Sequence, residues 1–303
     1  MNDAQIIEKI IKLKKERNAV ILAHNYQLPE VQNVADFSGD SLALSRTAAA
    51  TDADVIVFCG VHFMAETASI LSPEKTVLLP DLEAGCPMAD MINADQLREL
   101  KEKHPQAKVL AYINTSSEVK AETDICCTSG NALRVLEKLR DFEEIIFVPD
   151  KYLGSYISKT AGKDMILWNG YCPTHVKIQA EDILRQKEAH PNAKVVAHPE
   201  CTPPVLALAD KILSTEGICR FARETDASEI IVGTEVGILH RLNKENPGKT
   251  FYPASEHAVC PNMKKITLEK VLWALEKMQH EVRVPDDIRL KAKGAVDRMV
   301  EVL

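Results

Sequence analysis

An internal repeat is the feature that most constrains the fold of this chain. The stretch ADQLRELKEKHPQAKVLAY at residues 94–112 recurs as AEDILRQKEAHPNAKVVAH at residues 180–198, and residues 3–24 follow the same plan without the His-Pro pair. Each stretch predicts an amphipathic helix followed by a short buried strand. The ends of these strands lie 88 and 86 residues apart, at His24, Tyr112 and His198. This period predicts three related supersecondary units in one chain.

Each unit continues with two further predicted strands. The second strands are ADVIVFCG, EEIIFVPD and SEIIVGTE, and the third strands begin at Lys75, Lys163 and Lys249. Helical stretches separate the strands, at about residues 41–50, 63–71, 129–140, 152–161, 215–224 and 234–243. Strands that alternate with helices indicate parallel sheets covered by helices on both faces. We therefore expect an α/β protein of three pseudo-threefold-related, three-layer αβα domains.

The repeat also sets the expected domain boundaries. They are residues 1–90, 91–176 and 177–264, followed by a helical tail at 265–303. The tail opens with a helical pattern at 267–281 that resembles the start of a fourth, incomplete unit, and part of it is expected to pack on the first domain.

Composition and charge exclude several classes of protein. The 303 residues are 46% hydrophobic, which is ample for a buried core, and the net charge is −7. An acidic chain is not expected to bind nucleic acid, although a local cluster of donors binds anionic small molecules even so. No apolar run approaches the ~18 residues of a membrane span, and the N-terminal helix is charged rather than a signal peptide. We expect a cytoplasmic protein without nucleic-acid or membrane partners.

Polar residues stand in pairs at the end of the first strand of each unit. Because residues i and i+2 of a strand point the same way, each strand end presents two polar side chains together. Ligands of parallel α/β sheets bind beyond these carboxyl ends. One such pair alone is better explained by a polar strand end in water, whereas three pairs in equivalent positions favour a binding site. The three segments are His24-Asn25-Tyr26, Tyr112-Ile113-Asn114 and His198-Pro199-Glu200.

A hydroxyl residue follows each strand end after 17 residues, at Ser41, Ser129 and Thr215. Each of the three lies near the start of a predicted helix. A helix N-terminus offers free N–H groups that suit a carboxylate or a phosphate. Helix capping is the simpler explanation of each hydroxyl taken alone, and the two roles are compatible.

Three Cys-Pro pairs are also in register with the repeat, at Cys86, Cys172 and Cys260. A single Cys-Pro pair is most often a buried thiol. One per repeat, around a shared axis, favours a triangle of thiolates that holds an iron–sulfur cluster or, less well, a zinc ion. Three ligands leave one cluster position open for Lewis-acid chemistry. The other five cysteines are assigned to packing, since they do not follow the repeat.

Several longer motifs resemble the quinolinate synthase family and extend over almost the whole chain in the family's order. They are AHNYQLPEVQNVADFSGDSLALS (23–45), GVHFMAETA (60–68), PDLEAGCPMAD (80–90), AYINTSSEVKAETDICCTSGNA (111–132), WNGYCPTHVKI (168–178), AHPEC (197–201), LSTEGI (213–218) and EHAVCPNMK (256–264). The resemblance implies three pseudo-threefold α/β domains around a central cluster, in agreement with the repeat. It implies an enzyme of NAD biosynthesis that condenses iminoaspartate (iminosuccinate) with dihydroxyacetone phosphate to quinolinate.

The resemblance also implies roles for individual residues. A 4Fe–4S cluster would be held by Cys86, Cys172 and Cys260. Substrate contacts would come from His24, Ser41, Tyr112, Ile113, Asn114, Ser129, His198, Pro199, Glu200 and Thr215. Tyr26 would act near the open iron, and we expect Glu200 and His198 to transfer protons. The role of His175 stays open between catalysis and support of the cluster. The C-terminal CxxCxxC motif of some relatives is absent from this sequence.

Three other readings of the same residues remain. The first is a hydro-lyase whose open iron removes hydroxide from a small hydroxy-acid. The second is a non-enzymatic iron–sulfur sensor or electron carrier with a fully ligated cluster. The third is a zinc protein. For the condensing enzyme, a functional link to an aspartate oxidase or dehydrogenase that makes the unstable imine is expected.

Overall fold

A computed structural model describes residues 1–302 and contains three four-stranded parallel sheets, each flanked by helices. The predicted α/β class with three αβα domains is thereby confirmed. No helix within residues 1–302 is both long and apolar enough to cross a membrane.

The first sheet lies in the N-terminal third of the chain. Its strands are β1 (Ala19–His24), β2 (Phe37–Gly39), β3 (Val55–Cys59) and β4 (Thr76–Leu78). Its helices are α1 (Asp3–Glu16), α2 (Pro29–Val34), α3 (Ser41–Ala50) and α4 (His62–Leu71). A capping box between Asn2 and Gln5 satisfies the free N–H groups at the start of α1 and fixes where this helix begins.

The second sheet repeats this arrangement in the middle of the chain. Its strands are β5 (Lys108–Tyr112), β6 (Ile125–Cys127), β7 (Ile145–Val148) and β8 (Ile166–Leu167). Its helices are α5 (Ala94–Lys103), α6 (Ser117–Ala121), α7 (Ala132–Lys138) and α8 (Lys151–Ala161). A second capping box, between Asn93 and Gln96, starts α5.

The third sheet has the same order of elements. Its strands are β9 (Lys194–Ala197), β10 (Lys211–Ile212), β11 (Glu229–Gly233) and β12 (Thr250–Pro253). Its helices are α9 (Ala180–Ala189), α10 (Pro203–Leu206), α11 (Thr215–Glu224) and α12 (Ile238–Glu245).

Two helices complete the chain, α13 (Leu268–Lys277) and α14 (Asp286–Glu301). Helix α13 packs on α1 of the first unit, whereas α14 packs on α6 and β6 of the second. The predicted domain boundaries stay a prediction, and the last residue of the predicted tail, Leu303, lies outside the described residues.

All three sheets share one strand order, β2-β1-β3-β4 in the first, β6-β5-β7-β8 in the second and β10-β9-β11-β12 in the third. The inner strands coincide with the apolar runs of the sequence and are buried. They are apolar throughout because helices cover both faces of a parallel sheet. The prediction of three strands per unit missed one of the two edge strands of each sheet, namely β2, β6 and β10, which are two or three residues long. Such short strands carry no readable alternation of polar and apolar residues.

Candidate active site

The carboxyl ends of the first strand of each sheet border one cavity of about 180 Å³. Its walls come from all three sheets. Of the residues that the sequence singled out, the walls include His24, Tyr26, Ser41, Cys86, Tyr112, Asn114, Ser129, Cys172, His198, Glu200, Thr215 and Cys260. Ile113 and Pro199 are buried behind this wall, because residue i+1 of a strand end points away from residues i and i+2. Their predicted contact with substrate stays a prediction.

The three Cys-Pro cysteines occupy equivalent loops. Each lies three residues before a short 3₁₀ helix, and these helices are Ala89–Met91, His175–Lys177 and Met263–Lys265. Burial raises the pKa of the Cys86 thiol to about 12, although the N–H groups of Ala89 and Met88 hydrogen-bond to it and act in the opposite direction. Burial likewise raises the pKa of Cys172 and of Cys260, against hydrogen bonds from backbone N–H groups. A metal ion displaces the proton of such a thiol, and the N–H groups then stabilise the thiolate.

The remaining five cysteines differ from these three in their burial. Cys86, Cys172 and Cys260 are partly exposed to the cavity. The other five thiols are buried in the apolar cores, at Cys59, Cys126, Cys127, Cys201 and Cys219. Burial therefore divides the cysteines into the same two groups as the repeat: three that can bind a ligand in the cavity and five that pack in the cores.

Two histidines present the same N–H group to the cavity. Nδ1 of His24 accepts the backbone N–H of Tyr26 at 3.2 Å, and Nδ1 of His198 accepts that of Glu200 at 3.4 Å. Burial lowers the pKa of both imidazoles to about 3, so both are neutral at pH 7 and carry their proton on Nε2. Nε2 of His198 lies 3.0 Å from Oγ of Ser129. Each histidine is thus a neutral hydrogen-bond donor.

Glu200 is the carboxylate of the site. The hydroxyl of Tyr112 donates to its Oε1 at 2.5 Å, and Nδ1 of His175 lies 2.7 Å from its Oε2. Burial opposes ionisation of Glu200, but the neighbouring His175 and the hydrogen bonds from His175 and Tyr112 lower its pKa well below the usual range. Glu200 is therefore ionised at neutral pH. Burial, followed by the charge of Glu200, raises the pKa of Tyr112, which keeps this phenol protonated.

A second hydroxyl group joins Tyr26 to His175. Oγ1 of Thr234 lies 2.5 Å from the hydroxyl of Tyr26 and 2.8 Å from Nε2 of His175. The chain of contacts therefore runs from Tyr26 through Thr234 and His175 to Glu200 and Tyr112. Sequence reasoning missed Thr234, although a polar residue directly after a buried strand was a usable signal.

The hydroxyls at the helix starts are not the helix caps. Asp40 caps α3 by accepting the N–H of Ala43, and Ser214 caps α11 by accepting that of Gly217. Ser41 and Thr215 are instead the first helical residues, and both line the cavity. The hydroxyl of Thr215 accepts from Nδ2 of Asn25 at 3.2 Å and keeps its own proton for a further contact. The capping alternative is therefore wrong for both.

Ser129 departs from the predicted pattern. Helix α7 begins at Ala132 rather than at 129, because the side chain of Asn131 accepts the N–H of Thr128 and holds the chain between them in a turn. Ser129 lies in this turn and reaches the cavity beside His198. The expectation that it stands at a helix N-terminus was wrong, whereas its place at the cavity wall agrees with the repeat.

Cys172, His175 and Glu200 form a group that is suited to hold a metal ion, with donor atoms within 4.8 Å of one another. Sequence reasoning left the role of His175 open, and the structure brings its Nδ1 within 3.1 Å of Sγ of Cys172. The site therefore offers a metal-binding group next to polar residues from all three sheets.

The sequence pattern of the NadA family, described as quinolinate synthetase A protein, matches residues 8–301. The chain belongs to this family.

Curated relatives of high identity carry the corresponding name. Quinolinate synthase 1 of Methanosarcina acetivorans is 56% identical over 302 residues, which cover 100% of this chain and 99% of the relative. Quinolinate synthases of Dehalococcoides mccartyi CBDB1 and Thermodesulfovibrio yellowstonii are 58% and 56% identical over 298 residues, with 98% of both sequences covered in each case. As a member of the quinolinate synthetase A family, the chain is an enzyme of NAD biosynthesis with a group of residues suited to a metal cofactor.

Proposed function

We propose that this enzyme is a transferase that condenses iminoaspartate (iminosuccinate) with dihydroxyacetone phosphate to quinolinate, releasing phosphate and two waters. The observation that carries the proposal is one cavity in which three partly exposed thiols meet polar strand ends from three sheets. A cavity of about 180 Å³ suits small substrates rather than a macromolecule. Membership of the quinolinate synthetase A family supports the choice of reaction.

The cofactor that fits these residues is a 4Fe–4S cluster held by Cys86, Cys172 and Cys260. Three thiols with backbone N–H donors, one from each repeat, would hold such a cluster by three of the four thiolate bonds that clusters usually take. When bound, the cluster would supply a Lewis acid for a substrate oxygen or nitrogen.

Neutral donors and helix N-termini would bind the anionic groups of both substrates. Nε2–H of His24 suits a carboxylate or phosphate oxygen, whereas Nε2–H of His198 is directed at Oγ of Ser129, whose own hydroxyl proton would suit such an oxygen. The first turns of α3 and α11 add backbone N–H groups and the hydroxyls of Ser41 and Thr215. These groups bind anions although the chain as a whole is acidic.

Asn114 would contribute to substrate binding from the second sheet. Its Oδ1 is buried, lacks a hydrogen-bond partner within residues 1–302 and belongs to a residue that lines the cavity. A buried acceptor without a partner is costly, so a ligand with an N–H or O–H group would stabilise it.

Glu200 would act as the base of the reaction. Enolisation and loss of water need groups that accept and return protons at hydrogen-bond distance. Glu200 is ionised and lies on the cavity wall, whereas burial raises the pKa of Tyr26 and keeps its phenol a proton donor. His198, which is neutral, would orient the substrate beside Glu200 rather than act as a charged acid.

We also propose a cytoplasmic location and a functional link to an aspartate oxidase or dehydrogenase. All eight cysteines are free thiols, as is usual in a reducing compartment. The link is proposed because the imine substrate hydrolyses readily and must be made near its point of use.

The test is a product assay on anaerobically purified protein that is supplied with dihydroxyacetone phosphate and freshly generated iminoaspartate. We expect quinolinate by mass spectrometry, with one phosphate released per quinolinate. A dehydrated product that keeps the carbon count of a hydroxy-acid substrate would instead indicate a hydro-lyase. Iron-replete protein that turns over no substrate would contradict the proposal and favour a sensor or electron carrier.

A zinc protein is the second candidate, because the group formed by Cys172, His175 and Glu200 has donor types that zinc accepts. That site would use one of the three repeat-related cysteines and leave Cys86 and Cys260 without a role. A colourless, zinc-loaded enzyme with full activity would favour it over the cluster.

A further inference from the structure

We propose that Asn25 is a positioning residue of the active site, and that its side-chain amide turns the hydroxyl proton of Thr215 toward the substrate. The inference deepens the proposed function and rests on it, because Thr215 would bind an anionic group of a substrate. Asn25 directly follows β1 and is fully buried, whereas its neighbours His24 and Tyr26 line the cavity. It would therefore act on the substrate through Thr215 and not by contact.

The hydrogen bonds of Asn25 fix the orientation of its amide. Nη1 of Arg241 lies 3.0 Å from Oδ1 of Asn25, and a guanidinium group can only donate. The amide oxygen therefore faces Arg241, which leaves Nδ2 of Asn25 to donate to Oγ1 of Thr215 at 3.2 Å. A flipped amide would set its own N–H groups against those of the guanidinium and would leave Thr215 facing an acceptor.

Arg241 is itself held in place by two carboxylates. Its two terminal nitrogens donate to Glu216 at 2.7 and 3.3 Å, and its Nε donates to Glu245 at 2.6 Å. Arg241 and Glu245 lie on α12, whereas Glu216 lies on α11 and directly follows Thr215. A guanidinium held by such charge-assisted bonds keeps its position beside the amide of Asn25.

The orientation of Asn25 determines what Thr215 offers to a ligand. Because a hydroxyl carries one proton and Oγ1 of Thr215 accepts from Nδ2 of Asn25, the proton of Thr215 is left for another partner. Thr215 lines the cavity and is the first residue of α11, where unpaired backbone N–H groups also favour an anion. Thr215 thus presents a donor, which suits a carboxylate or phosphate oxygen and does not suit an N–H group of a ligand.

The amide is particular to the first repeat. The equivalent residues of the other two strand ends are Ile113 and Pro199, whose side chains form no hydrogen bonds. Ser129, the counterpart of Thr215 in the second repeat, accepts instead from the ring of His198. Because the shared scaffold tolerates apolar residues at this place, an amide at one of the three positions is expected to serve the site rather than the fold.

The experiment measures KM and kcat of Asn25→Asp in the iron-loaded, full-length enzyme, alone and combined with Thr215→Val. Aspartate keeps the acceptor for Arg241 but loses the donor, so the hydroxyl of Thr215 would turn its proton away from the cavity. We expect Asn25→Asp to raise KM for at least one substrate by about 10- to 30-fold, with kcat within about threefold. In the Thr215→Val enzyme the same substitution should raise KM by less than about twofold further, because no hydroxyl is left to turn.

Asn246→Asp is the matched control. Asn246 is also buried, and its Nδ2 donates to the carbonyl of Leu242 at the end of α12. This variant loses a buried amide donor that has no contact with Thr215, and both KM values should stay within about twofold. Iron and sulfide content and the visible absorbance should match the unsubstituted protein in every variant.

Asn25→Leu tests the same claim without a new charge. It frees the hydroxyl of Thr215 to rotate rather than turning it away, so KM should rise by only about two- to fivefold. This rise should disappear when Thr215→Val is also present. If Asn25→Asp does not fold, the Asn25→Leu pair decides the question.

Three outcomes would overturn the proposal. The first is a set of KM values for the Asn25 variants that equals that of Asn246→Asp. The second is a rise in KM that is equally large with and without the hydroxyl of Thr215, because Asn25 would then act on another group. The third is a loss of iron or of kcat at unchanged KM, which would assign Asn25 to the scaffold. Failure of the unsubstituted, iron-replete enzyme to make quinolinate would contradict the proposed function instead, so the two failures are distinguishable.

Discussion

The cysteine loops and the strand ends of the three repeats differ in how closely they follow the threefold pattern. Each cysteine loop has the same residue pair, the same offset from a three-residue 3₁₀ helix and a thiol whose pKa is raised by burial. The strand ends have the same backbone positions but different side chains, His24 and Tyr26 in the first, Tyr112 and Asn114 in the second, and His198 and Glu200 in the third. The repeated backbone thus places three strand ends in equivalent positions, and the different side chains at these positions give each strand end different chemical groups.

If the cysteine loops are equivalent, then loss of any one thiol should have the same effect. We expect Cys86→Ala, Cys172→Ala and Cys260→Ala each to lower activity by more than about 1,000-fold and to lose most iron, because a cluster with two protein thiolates is poorly held. Iron and sulfide quantitation with the visible spectrum measures this. The matched control is Cys219→Ala, a buried cysteine on α11, which should keep its iron.

A large difference in iron content among the three cysteine variants would show that the three cysteine loops are not equivalent. Retention of iron by Cys86→Ala and Cys260→Ala, with loss of metal only from Cys172→Ala, would point to the site formed by Cys172, His175 and Glu200.

If the strand ends are specialised, then Glu200 should have a role as proton acceptor that the equivalent residues of the other repeats, Tyr26 and Asn114, do not share. We expect Glu200→Gln to lower kcat by about 100- to 10,000-fold with iron content unchanged, because the amide cannot accept the substrate proton. Steady-state kinetics on iron-matched samples checks this. Glu66→Gln is the control, since Glu66 is a buried carboxylate that accepts from Ser117 rather than from a cavity residue. Full turnover by Glu200→Gln would remove Glu200 from the base role.

The repeat made most of the fold predictable. Inner strands such as β1 and β3 are continuous apolar runs at a fixed spacing, and helices such as α1 and α5 carry readable caps. The edge strands β2, β6 and β10 were missed, because Lys211–Ile212 and its counterparts form no pattern of their own and pair only with the neighbouring strand. The late start of α7 was missed because the turn depends on the side chain of Asn131.

The three hydroxyl residues allow a further comparison between the repeats, with a smaller expected effect, because Ser41 and Thr215 begin helices whereas Ser129 lies in a turn. We expect Ser41→Ala and Thr215→Val to raise KM by about three- to tenfold with little change in kcat, because each loses one hydrogen bond to an anionic group at a helix N-terminus. Ser129→Ala should differ from both by lowering kcat as well, since Nε2 of His198 loses its partner. Kinetics with each substrate varied in turn measures this. Identical effects of the three substitutions would show that the turn at Ser129 is equivalent to the two helix starts.

The smallest expected effect is on stability. The pKa of His24 and of His198 is lowered to about 3 in the folded protein, whereas an unfolded histidine titrates near 6.5. The unfolded chain therefore binds more protons as the pH falls below about 6.5, and the free energy of unfolding falls by about 1 kcal/mol per histidine between pH 7 and pH 5.5. Thermal unfolding of His198→Gln across this range should show a shallower pH dependence. An unchanged dependence would contradict a buried, neutral His198.

The site was predictable as far as it follows the repeat. The cysteines, the strand-end pairs and the hydroxyls were found because each recurs at a fixed offset, and the structure brings them to one cavity. Thr234 and the contact between His175 and Glu200 were missed because each depends on residues that occur once and come together only through the packing of different sheets. The caps Asp40 and Ser214 were passed over for the residues that follow them, since sequence alone does not fix the first residue of a helix.

The most direct test of the account is anomalous X-ray scattering from crystals of anaerobically purified protein, recorded at the iron and zinc absorption edges. We expect a strong iron signal whose iron atoms are bonded to Sγ of Cys86, of Cys172 and of Cys260. One further iron atom should have no bond to a protein thiolate. A single zinc signal between Cys172, His175 and Glu200, or sulfur atoms of the three loops too far apart to share one cluster, would contradict it.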